Sequence, residues 1–175
     1  MKRTKKLTFS AMMAALSAAF MLLSYFPYLT YAIPAAASLF IMAVVIELDR
    51  KWALLSYIAS AVIVLLTAEI ESKLMFLGFL GYYPILKATV ERIRKPVAEW
   101  ILKILTFNIA VIVIYFAFSG LLNVSARDFG VLGEYGIYII LILGNVVFAV
   151  YDIALSRLSM AYMFVLHPKV KKILK

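Results

Sequence analysis

Cysteine is absent from this chain of 175 residues, and histidine occurs only once, at His167. The lack of cysteine excludes disulfide bonds and thiolate chemistry. A lone histidine beside Pro168, far from any acidic cluster, cannot build a metal site or a serine, histidine and aspartate triad. No glycine-rich phosphate loop is present either. We therefore expect no cofactor, no metal, no catalytic residues and no ATP hydrolysis by this chain, and we do not expect it to be an enzyme.

Charged residues are also scarce, at 15% of the chain against 66% hydrophobic residues, and they stand in short clusters. None occurs from Leu7 to Ile46, a run of about 40 residues, whereas one membrane-spanning helix needs roughly 20. The run must therefore fold back once, and Pro27, flanked by tyrosines suited to the membrane interface, marks the turn. Because the apolar run has no polar break, we interpret the basic N-terminus as part of an uncleaved anchor and not of a signal peptide.

Short charged clusters divide the rest of the chain into further apolar segments. This pattern predicts an all-α, polytopic membrane protein, with six transmembrane helices in one bundle and a single integral membrane domain over residues 1–175. The predicted spans are approximately 7–25, 28–47, 52–67, 74–89, 97–119 and 135–153, followed by a basic cytoplasmic tail over 157–175.

Lysine and arginine concentrate at alternate breaks between the predicted spans, which indicates the orientation of the bundle. With both termini in the cytoplasm, only Lys73 and Arg127 fall on the outer side. The basic excess then belongs to the cytoplasmic surface. Topology and contact with the anionic lipid bilayer explain it, so we expect no nucleic-acid partner.

Uncharged polar residues near the expected bilayer midplane are candidates for a binding cavity. Asn108, Asn145 and the step from Tyr83 to Pro84 all fall about ten residues from a span end. The two asparagines can line one cavity, or they can hydrogen-bond each other between consecutive antiparallel helices. Pro84 cannot donate a hydrogen bond to the carbonyl of Leu80, so we predict a kink in the fourth span, which serves either ligand binding or packing alone.

Two charged residues lie inside or close to the predicted spans. Lys87 precedes Glu91 by four residues, and we expect its ammonium group to pair with Glu91 or Glu47 rather than with a substrate carboxylate. Asp152 is followed by Arg157, and we expect a structural ion pair at the inner interface rather than a catalytic group.

Tyrosine is plentiful, with 11 residues, and several fall toward the predicted outer side. An aromatic belt at the membrane interface accounts for some of them. The first loop, the kinked fourth span and the start of the sixth span can also converge on a pocket for a planar organic nutrient. The predicted substrate-binding residues are Tyr28, Tyr31, Tyr82, Tyr83, Asn108, Tyr138 and Asn145.

Small residues cover one side of the first predicted span. At about 100° per residue, Ala11, Ala14, Ala15 and Ala18 share one helix face. Small side chains let two membrane helices approach until their backbones nearly touch. This face therefore either packs inside the bundle or docks an external partner.

Six predicted spans in 175 residues, both termini inside, a basic N-terminus and the spacing Ala11-x-x-x-Ala15-x-x-x-Ala19 together resemble the substrate-binding S component of energy-coupling factor (ECF) vitamin transporters. In that family the alanine face docks on a transmembrane coupling subunit driven by two cytoplasmic ATPases, and the vitamin binds in the outer half of the bundle. The resemblance implies that Ala11, Ala15 and Ala19 dock the partner. It also implies that the chain binds a vitamin or related small organic nutrient for uptake across a bacterial plasma membrane. No vitamin-specific polar signature names the substrate.

Two other classes of protein fit the same pattern. A structural or assembly subunit of a membrane complex uses the same small-residue faces without a ligand pocket. A stand-alone carrier moves its solute without ATPases. Ligand binding by the purified protein separates the first class from a transporter subunit, and solute movement in liposomes separates the second.

Overall fold

The structure, a computed structural model, describes residues 3–26, 28–122 and 136–174. These residues form helices joined by short turns, and no strand occurs among them. The all-α class predicted from the sequence is therefore confirmed for the described part of the chain.

The α-helices in this part of the chain are α1 (Arg3–Met21), α2 (Ala32–Glu47), α3 (Arg50–Thr67), α4 (Ile70–Met75), α5 (Tyr83–Val90), α6 (Pro96–Leu122), α7 (Gly136–Val165) and α8 (His167–Leu174). Shorter turns extend or join them. They are a 3-10 turn after α1 at Leu22–Tyr25, a π-helical turn between α4 and α5 at Phe76–Leu80, and a 3-10 turn after α5 at Glu91–Ile93.

Several helices are apolar enough to lie in a membrane. Among the described residues, four helical segments are also long enough to cross one: Arg3–Tyr25, Arg50–Thr67, Pro96–Ile114 and Leu141–Val165. α2 is apolar but shorter, with 16 residues. These helices are consistent with a multi-pass membrane protein.

Each predicted span overlaps a helical segment, but two segments differ from the expected form. The fourth is not one helix, because α4, the π-helical turn and α5 divide it. The sixth continues to Val165, past the expected end near residue 153, because no glycine or proline interrupts the chain before Pro168. The first part of the predicted surface tail is therefore the end of α7, and α8 covers most of the remainder, at His167–Leu174.

α2 lies among α1, α3, α5 and α7 and contacts all four. Small residues on α2 allow this close approach. The Ser17 hydroxyl of α1 donates a hydrogen bond to the carbonyl of Ala37 at 3.1 Å, and the hydroxyl oxygens of Ser38 and Tyr151 lie 2.8 Å apart. Hydrogen bonds of this kind join apolar helices in a membrane, where hydrophobic attraction between them is weak. α2 thus links the N-terminal helices to α7.

Acidic residues define where α3 and α4 begin. The Asp49 carboxylate accepts hydrogen bonds from the backbone N–H groups of Lys51 and Trp52 at 2.8 and 3.1 Å, and Glu69 accepts one from the N–H of Ser72 at 3.0 Å. Such caps satisfy the free N–H groups of a helix start and place negative charge at its positive end. Residues next to each helix start therefore determine where α3 and α4 begin.

Most lysines and arginines gather at one end of the bundle, which we call the basic end, formed by residues 3–6, 47–52, 89–96 and 166–174. Contacts between helix ends hold it together. Arg50 donates a hydrogen bond to the Thr89 hydroxyl at 3.1 Å, and His167 Nδ1 lies 3.0 Å from the Glu47 carboxylate. α8 also packs on an apolar cluster that includes Phe9 of α1.

The opposite end, which we call the tyrosine end, is formed by residues 22–26, 28–31 and 67–73. The Tyr25 hydroxyl donates to the carbonyl of Thr67 at 3.0 Å, and the Ser72 hydroxyl donates to the carbonyl of Thr30 at 2.7 Å. The loop after α1 is therefore tied to the turn between α3 and α4.

Candidate functional site

α6 and α7 face each other through side chains that repeat at helical spacing. On α7 these are Asn145, Phe148 and Asp152, separated by three and then four residues, so they share one side of the helix. They belong to an asparagine pair, an aromatic layer and a charge cluster, in that order toward the basic end. Residues of α5 and of the π-helical turn also contribute to the aromatic layer and the charge cluster.

The asparagine pair consists of Asn108 on α6 and Asn145 on α7. Each amide donates to the other, with N···O distances of 3.2 and 2.9 Å. Each also donates to a carbonyl one turn earlier in its own helix, that of Ile104 at 2.8 Å and that of Leu141 at 2.7 Å. The two amides therefore satisfy each other, as the helix-pairing alternative requires. A ligand role for these residues stays a prediction.

The aromatic layer lies next to the asparagine pair. The rings of Phe107 and Phe148 are stacked, with centroids 4.7 Å apart and planes at 10°. Phe79 of the π-helical turn meets both rings edge to face, and Tyr83 packs on Phe148 with centroids 5.3 Å apart. Gly144 leaves room for this layer, since a Cβ atom there would lie 3.2 Å from the Phe107 ring. The layer separates the asparagines from the charges.

The charge cluster centres on Asp152, which receives three hydrogen bonds from side chains. Its Oδ1 accepts from the Tyr83 hydroxyl at 2.6 Å and from Lys87 Nζ at 2.5 Å, and its Oδ2 accepts from Lys103 Nζ at 3.1 Å. Lys87, Lys103 and Asp152 are only 5%, 4% and 3% exposed. The expected ion pair of Asp152 is confirmed, but the expected partner Arg157 was wrong, because lysines from α5 and α6 reach the carboxylate inside the bundle.

Glu91 completes the charge cluster from the 3-10 turn after α5. Its Oε1 lies 2.7 Å from Lys87 Nζ and 3.0 Å from Lys103 Nζ, and its side chain is 42% exposed. The predicted pairing of Lys87 with Glu91 is confirmed, whereas the alternative partner Glu47 contacts His167 instead. Two ammonium groups and two carboxylates thus balance formally, an arrangement that joins helices or binds charged groups.

The π-helical turn interrupts the segment in which the sequence predicts a kink. The backbone N–H of Gly81 donates to the carbonyl of Phe76 at 2.9 Å, five residues back, and the carbonyl of Leu77 accepts a hydrogen bond from the Tyr57 hydroxyl at 2.8 Å. Pro84 stands in the first turn of α5, just after the interruption. The irregular backbone therefore precedes the proline, and π-helical turns of this kind often mark functional sites.

Two of the predicted ligand residues lie at the tyrosine end. Tyr28 is 99% exposed and has a left-handed backbone, with φ of 69°. The exposed Tyr31 donates a hydrogen bond to the Glu71 carboxylate at 3.0 Å.

The other predicted tyrosines lie elsewhere. Tyr82 is half-buried and Tyr83 fully buried, and both rings pack on Phe79, at centroid distances of 6.0 and 4.8 Å. The side chain of Tyr138 lies outside the described residues. Around the aromatic layer the structure thus brings together Tyr82, Tyr83, Asn108 and Asn145. Tyr28 and Tyr31 lie apart from them, at the tyrosine end.

No protein-family model, curated protein or solved structure matches this chain. Its function must therefore be inferred from its own residues.

The alanines of α1 divide between two sides of the helix. Ala14 and Ala18 are buried, and Ala18 packs in a cluster with residues of α2 and α3. Ala11, Ala15 and Ala19 are exposed. The alanine face expected from the sequence is therefore partly buried in the bundle core. The alanines spaced four residues apart, Ala11, Ala15 and Ala19, form the exposed part.

Proposed function

We propose that this chain is the membrane-embedded, substrate-binding subunit of an ATP-driven, ECF-type uptake transporter for a vitamin or a related small organic nutrient. The observation that carries the proposal is the exposure of Ala11, Ala15 and Ala19 on a helix whose other side packs into the bundle. A stripe of exposed alanines lets a helix of another subunit approach to backbone contact. A subunit with no nucleotide-binding motif needs such a partner, here a transmembrane coupling subunit and its cytoplasmic ATPases.

The proposed topology has six spans and both termini in the cytoplasm, in the plasma membrane of a bacterium. α2 and the divided segment from α4 to α5 would be the second and fourth spans. At ~1.5 Å per residue, a helix as short as α2 falls below the ~30 Å of the hydrocarbon core, so tyrosines at its outer start would meet the interface. The separation of the basic end from the tyrosine end, which carries Glu69 and Glu71, supports this orientation.

The proposed ligand site lies on the outer side of the aromatic layer, next to the interrupted backbone between α4 and α5. Interrupted helices offer backbone groups that a regular helix keeps for itself, and transporters use them for binding. Tyr82 is half-buried there, with its ring edge to face against Tyr57 at 5.9 Å. Flat aromatic faces and hydroxyl groups suit a planar organic nutrient.

A structural or assembly subunit is the second candidate, and one observation favours it. Asn108 and Asn145 pair with each other, and the Tyr83 hydroxyl donates to Asp152, so three predicted ligand residues already have partners inside the bundle. Such a protein would keep the exposed alanine stripe for its partner but bind no nutrient.

Co-purification from the native membrane tests the proposal. Mild detergent extraction of the tagged chain should recover a transmembrane protein and two ATPases. Mass spectrometry of the same preparation should find a bound small organic molecule. Protein partners without ATPases and without a small molecule would favour the assembly subunit, and a chain recovered alone would contradict the transporter assignment.

A further inference from the structure

Two ammonium groups in the charge cluster converge on a single carboxylate oxygen. Lys87 Nζ and Lys103 Nζ lie 2.7 and 3.0 Å from Oε1 of Glu91. Lys87 precedes Glu91 by four residues and meets it through helical spacing, whereas the packing of α6 on α5 brings Lys103 to the same oxygen. Charge-assisted hydrogen bonds of the same kind hold carboxylate and phosphate oxygens.

The buried part of the charge cluster lacks one negative charge. Lys87, Lys103 and Asp152 are all buried, and together they carry two positive charges and one negative charge. An uncompensated charge inside a bundle is unfavourable, so a second anion is required. Glu91 supplies it, yet Glu91 is the one charged member of the cluster whose side chain is substantially exposed. The charge cluster is therefore neutral only while the partly exposed Glu91 carboxylate stays against the two lysines.

Exposed basic residues next to Glu91 attract anions to this part of the surface. Glu91 stands in the short 3-10 turn at the basic end, and this turn is followed by Arg94 in a left-handed conformation, with φ of 55°. Arg92, Arg94 and Lys95 are exposed, and none of them forms a salt bridge with a described residue. Clustered positive charge of this kind raises the local concentration of anions.

We propose that Lys87 and Lys103 form an oxyanion site for a phosphate group. In the unbound protein the Glu91 carboxylate fills this site, and the phosphate replaces it. Glu91 would turn outward into water, and a phosphate oxygen would take the position of its Oε1. Lys103 stands seven residues after Pro96, or ~10 Å along α6 from its start, within reach of the membrane interface for a long lysine side chain. The phosphate can come from a lipid headgroup or from solution.

Glu91→Ala in a Trp52→Phe background tests the site. The chain has two tryptophans, Trp52 and Trp100, and the Trp100 ring centre lies 5.7 Å from Lys103 Nζ, so Trp100 alone would report events at the site. One arm titrates inorganic phosphate into protein held in phosphatidylcholine nanodiscs, with chloride at equal ionic strength as the control. The other arm compares phosphatidylglycerol nanodiscs with phosphatidylcholine nanodiscs in phosphate-free buffer.

We expect phosphate or phosphatidylglycerol to change Trp100 fluorescence and to raise the thermal unfolding midpoint of the Glu91→Ala protein, whereas chloride does neither. The added substitution Lys103→Met should abolish both effects. With Glu91 in place, the protein should need about tenfold more phosphate, because the carboxylate competes for the site. A response to inorganic phosphate identifies a soluble ligand, and a response to phosphatidylglycerol alone identifies a lipid headgroup; either supports the site.

Absence of a saturable response in folded Glu91→Ala protein in both arms would overturn the proposal, as would a response that survives Lys103→Met. Glu91→Gln, which keeps the side-chain shape, should respond in the same way and serves if the alanine variant does not fold. If neither variant folds, the protein that retains Glu91 provides the test. Its Trp100 fluorescence and unfolding midpoint should change at high phosphate, and Lys103→Met should remove that response.

Discussion

Replacing Asp152 by asparagine tests whether the charge cluster holds α5, α6 and α7 together. The carboxylate accepts hydrogen bonds from Tyr83, Lys87 and Lys103 at 2.6, 2.5 and 3.1 Å. Asparagine keeps an oxygen for Tyr83 but removes the negative charge, which leaves two buried ammonium groups with Glu91 alone. Removal of one partner from a buried ion pair costs about 3–5 kcal/mol, and we expect a loss of this size in the free energy of unfolding.

A matched double variant separates charge imbalance from loss of packing. Lys103→Met combined with Asp152→Asn removes one charge of each sign and leaves Lys87 opposite Glu91. We expect its free energy of unfolding to lie only about 1–2 kcal/mol below that of the parent, because a balanced buried pair contributes little net stability. Reversible unfolding by sodium dodecyl sulfate in mixed micelles, followed by tryptophan fluorescence, measures the parent, the single variants Asp152→Asn and Lys103→Met, and the double variant.

Two outcomes would refute this reasoning. An Asp152→Asn protein within about 0.5 kcal/mol of the parent would show that the carboxylate is not a buried partner of the lysines. A double variant whose loss equals the sum of the two single losses would show that Lys103 and Asp152 do not interact.

Other predictions concern the membrane orientation and the asparagine pair. Because the chain lacks cysteine, single cysteines at positions 50 and 93 should be labelled only from the cytoplasm and those at 71 and 128 only from outside; reversed labelling would contradict the topology. Asn145→Leu removes the partner of Asn108 on α7 and leaves the Asn108 side-chain oxygen without the Asn145 donor, so it should cost about 1–3 kcal/mol in the free energy of unfolding, whereas leucine at both positions should cost less than about 1 kcal/mol. If these asparagines bind the co-purified nutrient, the double variant should still lose about 1–3 kcal/mol of binding free energy. Unchanged affinity in that variant and in Tyr82→Leu would move the ligand site elsewhere.

Local signals in the sequence predicted the helical class and most helix positions. The long uncharged run and the charged clusters mark the helices and the turns between them, because charges avoid the hydrocarbon core. The interruption near Pro84 was also predicted, although the backbone departs from α-helix earlier, at Phe76–Leu80. Gly78 and Gly81 explain the shift, since a Cβ atom at either position would lie within 3 Å of a neighbouring atom. Close approach of neighbours, and not the proline alone, sets where the helix is irregular.

Partner choice inside the bundle was much harder to predict. Arg157 is close to Asp152 in sequence, but the lysines that bind Asp152 are 65 and 49 residues away along the chain. The spacing along α6 could have indicated that Lys103 is buried. Lys103 lies four residues before Phe107 and so shares the helix side that packs against the bundle. For α1, the periodicity grouped its alanines but could not say which of them α2 and α3 cover.

The most direct test of the transporter assignment is Ala15→Trp, measured for partner docking and nutrient affinity on one preparation. Ala15 is exposed, so the bulky ring should abolish binding of the coupling subunit while the fold and the affinity for the co-purified nutrient survive. Ile58→Trp, at an exposed site on α3, should leave both intact, and Ala14→Trp, at a buried site, should lower stability by about 1–3 kcal/mol through overpacking. Retained docking by Ala15→Trp, or joint loss of docking, affinity and folding, would contradict the assignment of this face to a partner.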